Sequence, residues 1–253
     1  MRSLHVFCNG QSLETVSSLI LIRDIVDGVP QTELNYGENP GRPGQRLLMR
    51  RRVSRKVNIV FAIRELRDLA KRADIVDWAN AWAKDGVLKI SNRRHQKLRV
   101  ICAERAAIQK PRDYTEEFTI SFEAPWPYWE EENPAKLTLT GASASGTLTC
   151  VGSAPSLARA TITPTGGTLT SMTLELGESL ITLNSLSIAS GAALTIEYDE
   201  RNLLRISSGE NQLLSKRTED STDDLMAQPG LNHAAFTANT ACTVNLEVCG
   251  SWL

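Results

Sequence analysis

The chain has 253 residues, 42% hydrophobic and 23% charged, with 16 glycines and 10 prolines. That balance suits a folded protein of one large or two ordinary domains, and excludes a collagen-like or globally disordered chain. No apolar run approaches a membrane-spanning helix or a secretory leader, and a net charge of −1 is too low for a protein built chiefly to hold nucleic acid.

In chain order, Leu4 to Phe7 and Leu19 to Ile22 read as short strands. Asp27 to Gln45 follows, containing Gly28, Pro30, Gly37, Pro40, Gly41, Pro43 and Gly44; so many backbone breakers predict an irregular loop, and long loops in compact domains are commonly functional. Val53 to Ile63 predicts a strand with Val57, Ile59 and Phe61 on one face. Two apolar stripes then recur at helical spacing, Leu66, Leu69, Ala70 and Ala73, followed by Ile75, Trp78, Ala79 and Trp82. They lie about half a turn apart, so one straight helix would face two ways. An Asp before an apolar run is a good N-cap, which predicts a helix from Asp74 to Lys84 ending near Gly86, with a separate short element before it. Strands follow at Val87 to Ser91, Lys97 to Ala103 and Phe118 to Glu123.

The segment from Ala124 to Pro134 holds three prolines and reads as an extended connector. Charge changes across it: residues 1–134 carry 22 basic and 18 acidic side chains, residues 135–253 carry 6 and 11. This places a domain boundary at 134/135. The second half predicts only strands. Leu137 to Thr140 and Thr147 to Val151 are short runs; Met172, Leu174 and Leu176, then Leu194, Ile196 and Tyr198, then Val244, Leu246 and Val248 alternate with polar residues. Many short strands with one apolar face predict a β-sandwich or jelly roll.

Chemistry-bearing motifs are sparse. Cys8, Cys102, Cys150, Cys242 and Cys249 are odd in number and widely spaced, the pattern of small buried side chains in a protein made in a reducing compartment. His5, His95 and His233 have no ligand partner at zinc spacing. Gly141 to Gly146 lacks the fifth-position glycine of a nucleophile elbow and sits between two predicted strands. The acidic pairs and triplets at Glu116, Glu130 and Asp223 read as solvated faces, and no phosphate-cradling loop is present. The expectation is a protein with no catalytic residue, metal or cofactor.

One stretch stands out. Arg46 to Lys56 holds six basic residues, Arg46, Arg50, Arg51, Arg52, Arg55 and Lys56, and no acidic one. Three readings are open: phosphate contact, an intersubunit contact in which arginine pairs with carboxylates, or a charged edge strand kept soluble by its arginines. Interleaved aromatics for stacking on single strands are missing.

The ordered series Val57-Asn-Ile-Val-Phe-Ala-Ile63, Asp77-Trp-Ala-Asn-Ala-Trp82, Asp85-Gly-Val-Leu-Lys-Ile90, Lys97-Leu-Arg-Val-Ile101, Asp113 to Ala124 and Pro127-Tyr-Trp129 resembles the N-terminal domain of distal tail proteins of long-tailed bacteriophages. Gly152-Ser-Ala-Pro-Ser156, Pro229-Gly-Leu-Asn232 and Gly250-Ser-Trp252 are similar to short motifs of that family's C-terminal sandwich. The resemblance implies a mainly β protein: residues 1–134 as a ring-forming split β-barrel with one α-helix, and residues 135–253 as a galectin-like β-sandwich. It implies a structural virion protein, not an enzyme: a homo-oligomer closing into a hexameric ring at the tail tip, assembled in the host cytoplasm. Its partners would be the tail tube protein, the tail-tip hub and receptor-binding proteins, with DNA only in transit through the lumen and no membrane contact. The six basic residues would then meet an acidic face of the neighbouring subunit, outside the lumen, where arginines would hold passing DNA. The alternative is a carbohydrate- or receptor-binding adhesion module. Against a sugar site, the aromatics of the second half are only Tyr198, Phe236 and Trp252, in apparent core or terminal positions, and a galectin-like fold does not by itself imply sugar binding.

Overall fold

A computed structural model of the chain describes residues 4–38, 45–64, 68–107, 117–199 and 202–253. The chain divides into two compact units, Met1–Trp129 together with Leu253, and Glu130–Trp252. Both are built on strands, and the described residues hold one α-helix.

The first unit runs β1 (Val6–Cys8), β2 (Gln11–Ser12), a 3-10 turn (Leu13–Thr15), β3 (Ile20–Asp27), β4 (Thr32–Glu38), β5 (Gln45–Arg52), β6 (Arg55–Ile63), α1 (Leu69–Trp82), β7 (Gly86–Ile90), β8 (Gln96–Glu104) and β9 (Glu117–Ala124); β10 (Trp129–Glu131) straddles the division. Seven strands form one antiparallel path, β2-β1-β7-β8-β9-β6-β3. Its longest ladder is the β6–β9 pair. Val57, Ile59 and Phe61 face Phe122, Ile120 and Phe118 across the ladder, and all six are buried. Phe61 and Phe118 stack with centroids 5.5 Å apart. Such directly opposed aromatic and β-branched pairs are the unit of sheet stabilisation.

Helix α1 covers this layer. Trp82 meets Phe122 edge-on with centroids 6.1 Å apart, and the Arg72 guanidinium lies 5.8 Å from the Phe118 ring centre. The Trp82 indole N–H donates to the Gln11 carbonyl at 2.8 Å. The helix starts earlier than its expected cap at Asp74. Asp68 is the N-cap, its carboxylate accepting from the N–H groups of Ala70 (3.0 Å) and Lys71 (3.3 Å). Leu69, Ala70 and Ala73 therefore lie on the same helix as the second stripe, while Leu66 lies outside the described residues. Ile75, Val76, Ala79 and Trp82 face inward with Arg72, while Leu69 and Trp78 face solvent.

The second unit runs β11 (Ala135–Cys150), β12 (Ser156–Pro164), β13 (Met172–Leu176), β14 (Ser179–Leu183), β15 (Leu194–Tyr198), β16 (Leu204–Ser208), β17 (Asn211–Gln212), a 3-10 turn (Leu214–Lys216), β18 (Met226–Ala227), β19 (Gly230–Val248) and β20 (Ser251–Trp252). The 19-residue β19 belongs to two ladders. Ala234 to Ala238 pair with β13, and Cys242 to Val248 pair with β12, while β11 follows β19 along its other edge from Cys150↔Gly230 to Ala135↔Val248. One ladder continues to β14, the other through β15 and β16 to β17. Strands that switch sheets at a bend make the corners of such sandwiches.

The bend explains a difference from the sequence reading. Leu137 to Thr140 and Thr147 to Val151 are not two strands joined by a turn; β11 is one 16-residue strand whose register shifts between Gly141 and Ser143, with Gly141 at φ +125°. Gly141 to Gly146 thus lies inside a bent strand. Leu148, Leu174, Ile162, Ile196, Val244 and Phe236 lie in the buried core. The opposite face carries charge rows: Lys136 pairs with Glu247 at 2.6 Å, Glu247 stands opposite Arg159, and Glu197 opposite Arg205. Alternating signs on neighbouring strands keep this face wet and free of like-charge pairs.

No disulfide links the five cysteines. Burial raises the thiol pKa of Cys8, Cys150 and Cys242, the state of unreactive packing residues.

Candidate functional site

The segment expected to be irregular is instead a two-stranded ribbon growing out of the sheet. The β3–β6 ladder ends at Asp27↔Val57. Three backbone bonds carry the pairing onward: Gly28 N–H to Lys56 O (3.0 Å), Gln31 N–H to Ser54 O (2.7 Å) and Val53 N–H to Gln31 O (2.9 Å). β4 and β5 then pair from Thr32↔Arg52 to Glu38↔Gln45, with a register shift between Asn35 and Tyr36. The breakers are absorbed locally. A Cβ on Gly28 would stand 2.7 Å from the Lys56 carbonyl oxygen, and one on Gly37 would stand 2.9 Å from Leu48 Cδ1, so each glycine admits a close neighbour. Pro40, Gly41, Pro43 and Gly44 lie outside the described residues.

β6 has β9 on its other side as far as Arg55↔Ala124. Past Ala124 the chain continues Pro125-Trp-Pro127, and prolines cannot donate to a ladder. β5 therefore has β4 as its partner and no third strand among the described residues. A two-stranded hairpin is marginal by itself in water. Val26, Val29, Leu34, Tyr36, Leu47, Leu48, Met49 and Val53 are all exposed, eight of the seventeen large apolar side chains exposed among the described residues. Such clustering marks a contact surface.

The six basic residues separate into distinct environments. Arg51 pairs with Glu33 across the ribbon at 2.6 Å, both exposed. Arg52 lies 6.0 Å from the Tyr128 ring centre, and Tyr128 packs edge-on against Trp126. Lys56 is exposed on β6. Arg46 and Arg50 are on β5, and their side chains lie outside the described residues. Arg55 corrects its grouping with the others: it is 1% exposed and turned into the unit, and so is unavailable to a neighbour.

Arg55 anchors the root of the ribbon. Its Nη1 donates to Asp27 Oδ1 at 2.9 Å; Arg93 donates to Oδ2 through Nη2 at 2.8 Å and Nε at 3.2 Å; the Trp129 indole N–H donates to the same carboxylate at 3.1 Å. Arg93 also lies 5.6 Å from the Trp129 ring centre. Burial lowers the pKa of Arg55, and the Asp27 carboxylate opposes that shift. Two guanidiniums and an indole on one carboxylate hold β3, β6, the β7–β8 turn and the start of β10 together where the ribbon departs. Asp27 was not singled out in the sequence, although alternation already places Arg55 on the buried face of Val57, Ile59 and Phe61. Among the described residues, no group of three His, Cys, Asp or Glu side chains could hold a metal ion.

No family model matches the sequence, and no curated protein matches it. Solved structures do. The crystal structure of SPP1 Dit (gp 19.1), described as a paradigm of the hub adsorption apparatus of phages infecting Gram-positive bacteria, aligns over 100% of both chains with a TM-score of 0.71 and 12% identity. The two chains share one fold. Chains of the phage P2 baseplate in its activated conformation align over 98% of their own lengths and 98–99% of this chain, with TM-scores of 0.49 (with Ca) and 0.47 (with Sr) and identities of 8% and 7%. The Dit-like, mainly β architecture expected from the sequence is thus the one observed.

The short motifs of the second unit have structural reasons. The Ser251 carbonyl accepts from the N–H groups of Ser153 (2.8 Å) and Ala154 (3.1 Å), so Gly152-Ser-Ala and Gly250-Ser-Trp meet. In Pro229-Gly-Leu-Asn232, the buried Asn232 amide accepts from Gln228 N–H at 2.8 Å and donates to the carbonyls of Gln228 (2.7 Å) and Gly230 (3.1 Å). Asn232→Ala is expected to cost about 1–3 kcal/mol by leaving these backbone groups without partners, measured as a lower urea midpoint at unchanged slope.

Proposed function

We propose that this chain is a structural subunit of a phage tail tip, closing into a hexameric ring that joins the distal end of the tail tube to the hub and receptor-binding proteins. The observation that carries the reading is the full-length fold shared with SPP1 Dit. The ribbon supports it physically. A hairpin with no third strand and a cluster of exposed apolar side chains gains stability when a neighbour covers it. Cyclic rings use heterologous contacts, in which one face meets a different face of the next copy. Residues 1–134 would form the ring and residues 135–253 a sandwich for further attachments. Arg46, Arg50, Arg51, Arg52 and Lys56 would serve the contact between copies; in the lumen they would bind the phosphates of DNA in transit. The protein would assemble in the host cytoplasm and reside in the virion, without a cofactor or catalytic role.

The adhesion alternative has less support. Tyr198 and Phe236 are buried in the sandwich, so neither offers the aromatic platform on which sugars stack. The Tyr198 hydroxyl is occupied by the backbone of Leu225, donating to its carbonyl at 3.1 Å and accepting from its N–H at 2.7 Å.

Native mass spectrometry and negative-stain imaging of the full chain test the proposal. A closed ring of six copies is the expected result. A chain that stays monomeric at the highest attainable concentration, and does not bind purified tail tubes, would overturn it.

A further inference from the structure

We infer that the solvent face of α1 is the surface on which the next copy's β4–β5 ribbon docks. This rests on the ring reading and names the partner of its contact surface. The face is chemically unusual for an exposed helix. Ala70, Asp74, Asp77, Trp78 and Ala81 are all exposed and fall on one arc at about 100° per residue. Trp78 is 54% exposed, a large apolar surface that a soluble helix ordinarily turns inward. The inward side of α1 is already supplied by Ile75, Val76, Ala79 and Trp82, so the unit's own core makes no demand on Trp78. The alanines leave room for close approach. The carboxylates of Asp74 and Asp77 have no hydrogen-bond or ion-pair partner among the described residues.

The ribbon has the complementary chemistry. β4 and β5 carry four arginines against two glutamates, among the exposed Leu34, Tyr36, Leu47, Leu48 and Met49. Arginine suits both features of the helix face: its fork pairs with carboxylates, and its plane stacks on indole. Trp and Arg are also the residue types that most often dominate binding energy at interfaces. The helix face and the ribbon are different surfaces of the same unit, as a head-to-tail ring requires. A second copy is therefore the occupant that the charge and apolar complementarity favour.

A charge-swap experiment on the full-length chain separates this inference from the ring reading. One variant carries Asp74→Arg and Asp77→Arg; another carries Arg51→Asp and Arg52→Asp. Each alone sets like charges against each other in every contact, and is expected to lose association on the order of 100-fold in native mass spectrometry. Mixed in equal amounts, each variant's ribbon meets the other's helix with opposite charge, so assemblies with equal numbers of both chains are expected. That recovery also shows that both variants fold. If the helix variant alone assembles like the parent chain, or the mixture stays dissociated while the parent assembles, the helix face is not the docking surface and the ring reading stands. If the parent chain itself never assembles, the ring reading fails and this inference with it.

Discussion

Replacing Asp27 by alanine is expected to cost about 3–5 kcal/mol of folding stability, the range for breaking a buried ion pair by removing one partner. The carboxylate is the shared acceptor of Arg55, Arg93 and the Trp129 indole. Without it, a guanidinium with 2% of its side chain exposed would lose the carboxylate it pairs with, beside a second cation. Removing the buried cation as well should relieve most of the loss, so Asp27→Ala with Arg55→Met should be more stable than Asp27→Ala alone. Equilibrium urea unfolding followed by tryptophan fluorescence measures both, since four of the five Trp residues lie in the first half of the chain. A loss below about 1 kcal/mol, the range of exposed pairs, would show that water reaches this cluster freely. Because the cluster fixes the point where the ribbon leaves the sheet, the single substitution should also weaken the contact between copies proposed above.

The second large effect is expected at Gly152. Its backbone has φ +127°, and a Cβ there would stand 2.2 Å from the Ser251 carbonyl oxygen, a backbone atom that accepts two hydrogen bonds. Backbone strain and steric overlap combine, because the oxygen cannot rotate away as a side chain could. Gly152→Ala should cost roughly 2–5 kcal/mol, and should release β20 from the 152–154 segment. Hydrogen exchange at the Ser153 and Ala154 amides reports that release directly. Gly191→Ala is the control: it has φ +84°, but nothing lies within 4 Å of its added Cβ, so it carries only the backbone strain.

Strands with strict alternation were legible in the sequence. Val57, Ile59 and Phe61 face inward as their period demands, and β13, β15 and the end of β19 follow the same rule. The errors arose where a residue's usual preference was overridden. Apolar periodicity places the helix start too late because Leu69 faces solvent, while Arg72 occupies an inward position over Phe118. The ribbon was hidden by its glycines and prolines, because composition does not reveal that Gly28 sits against Lys56 and Gly37 beneath Leu48. Charge alone groups Arg55 with its basic neighbours, whereas its place in the alternation points to the core. Asp27 carried no signal of its own, since its three donors come from positions distant in the chain. Charge reads along the chain, but counter-charge is found only across it.

The pairing of Ala135 with Val248 has an architectural consequence. The first long strand of the sandwich begins, and its last long strand ends, at neighbouring positions about 5 Å apart, the spacing of a directly opposed strand pair. The strands between Ala135 and Val248 thus form an excursion that starts and finishes at one place in the fold. Insertions at closely spaced ends are the kind that domains tolerate. A different module with equally close ends could take the place of residues 136–247 without stretching the chain on either side.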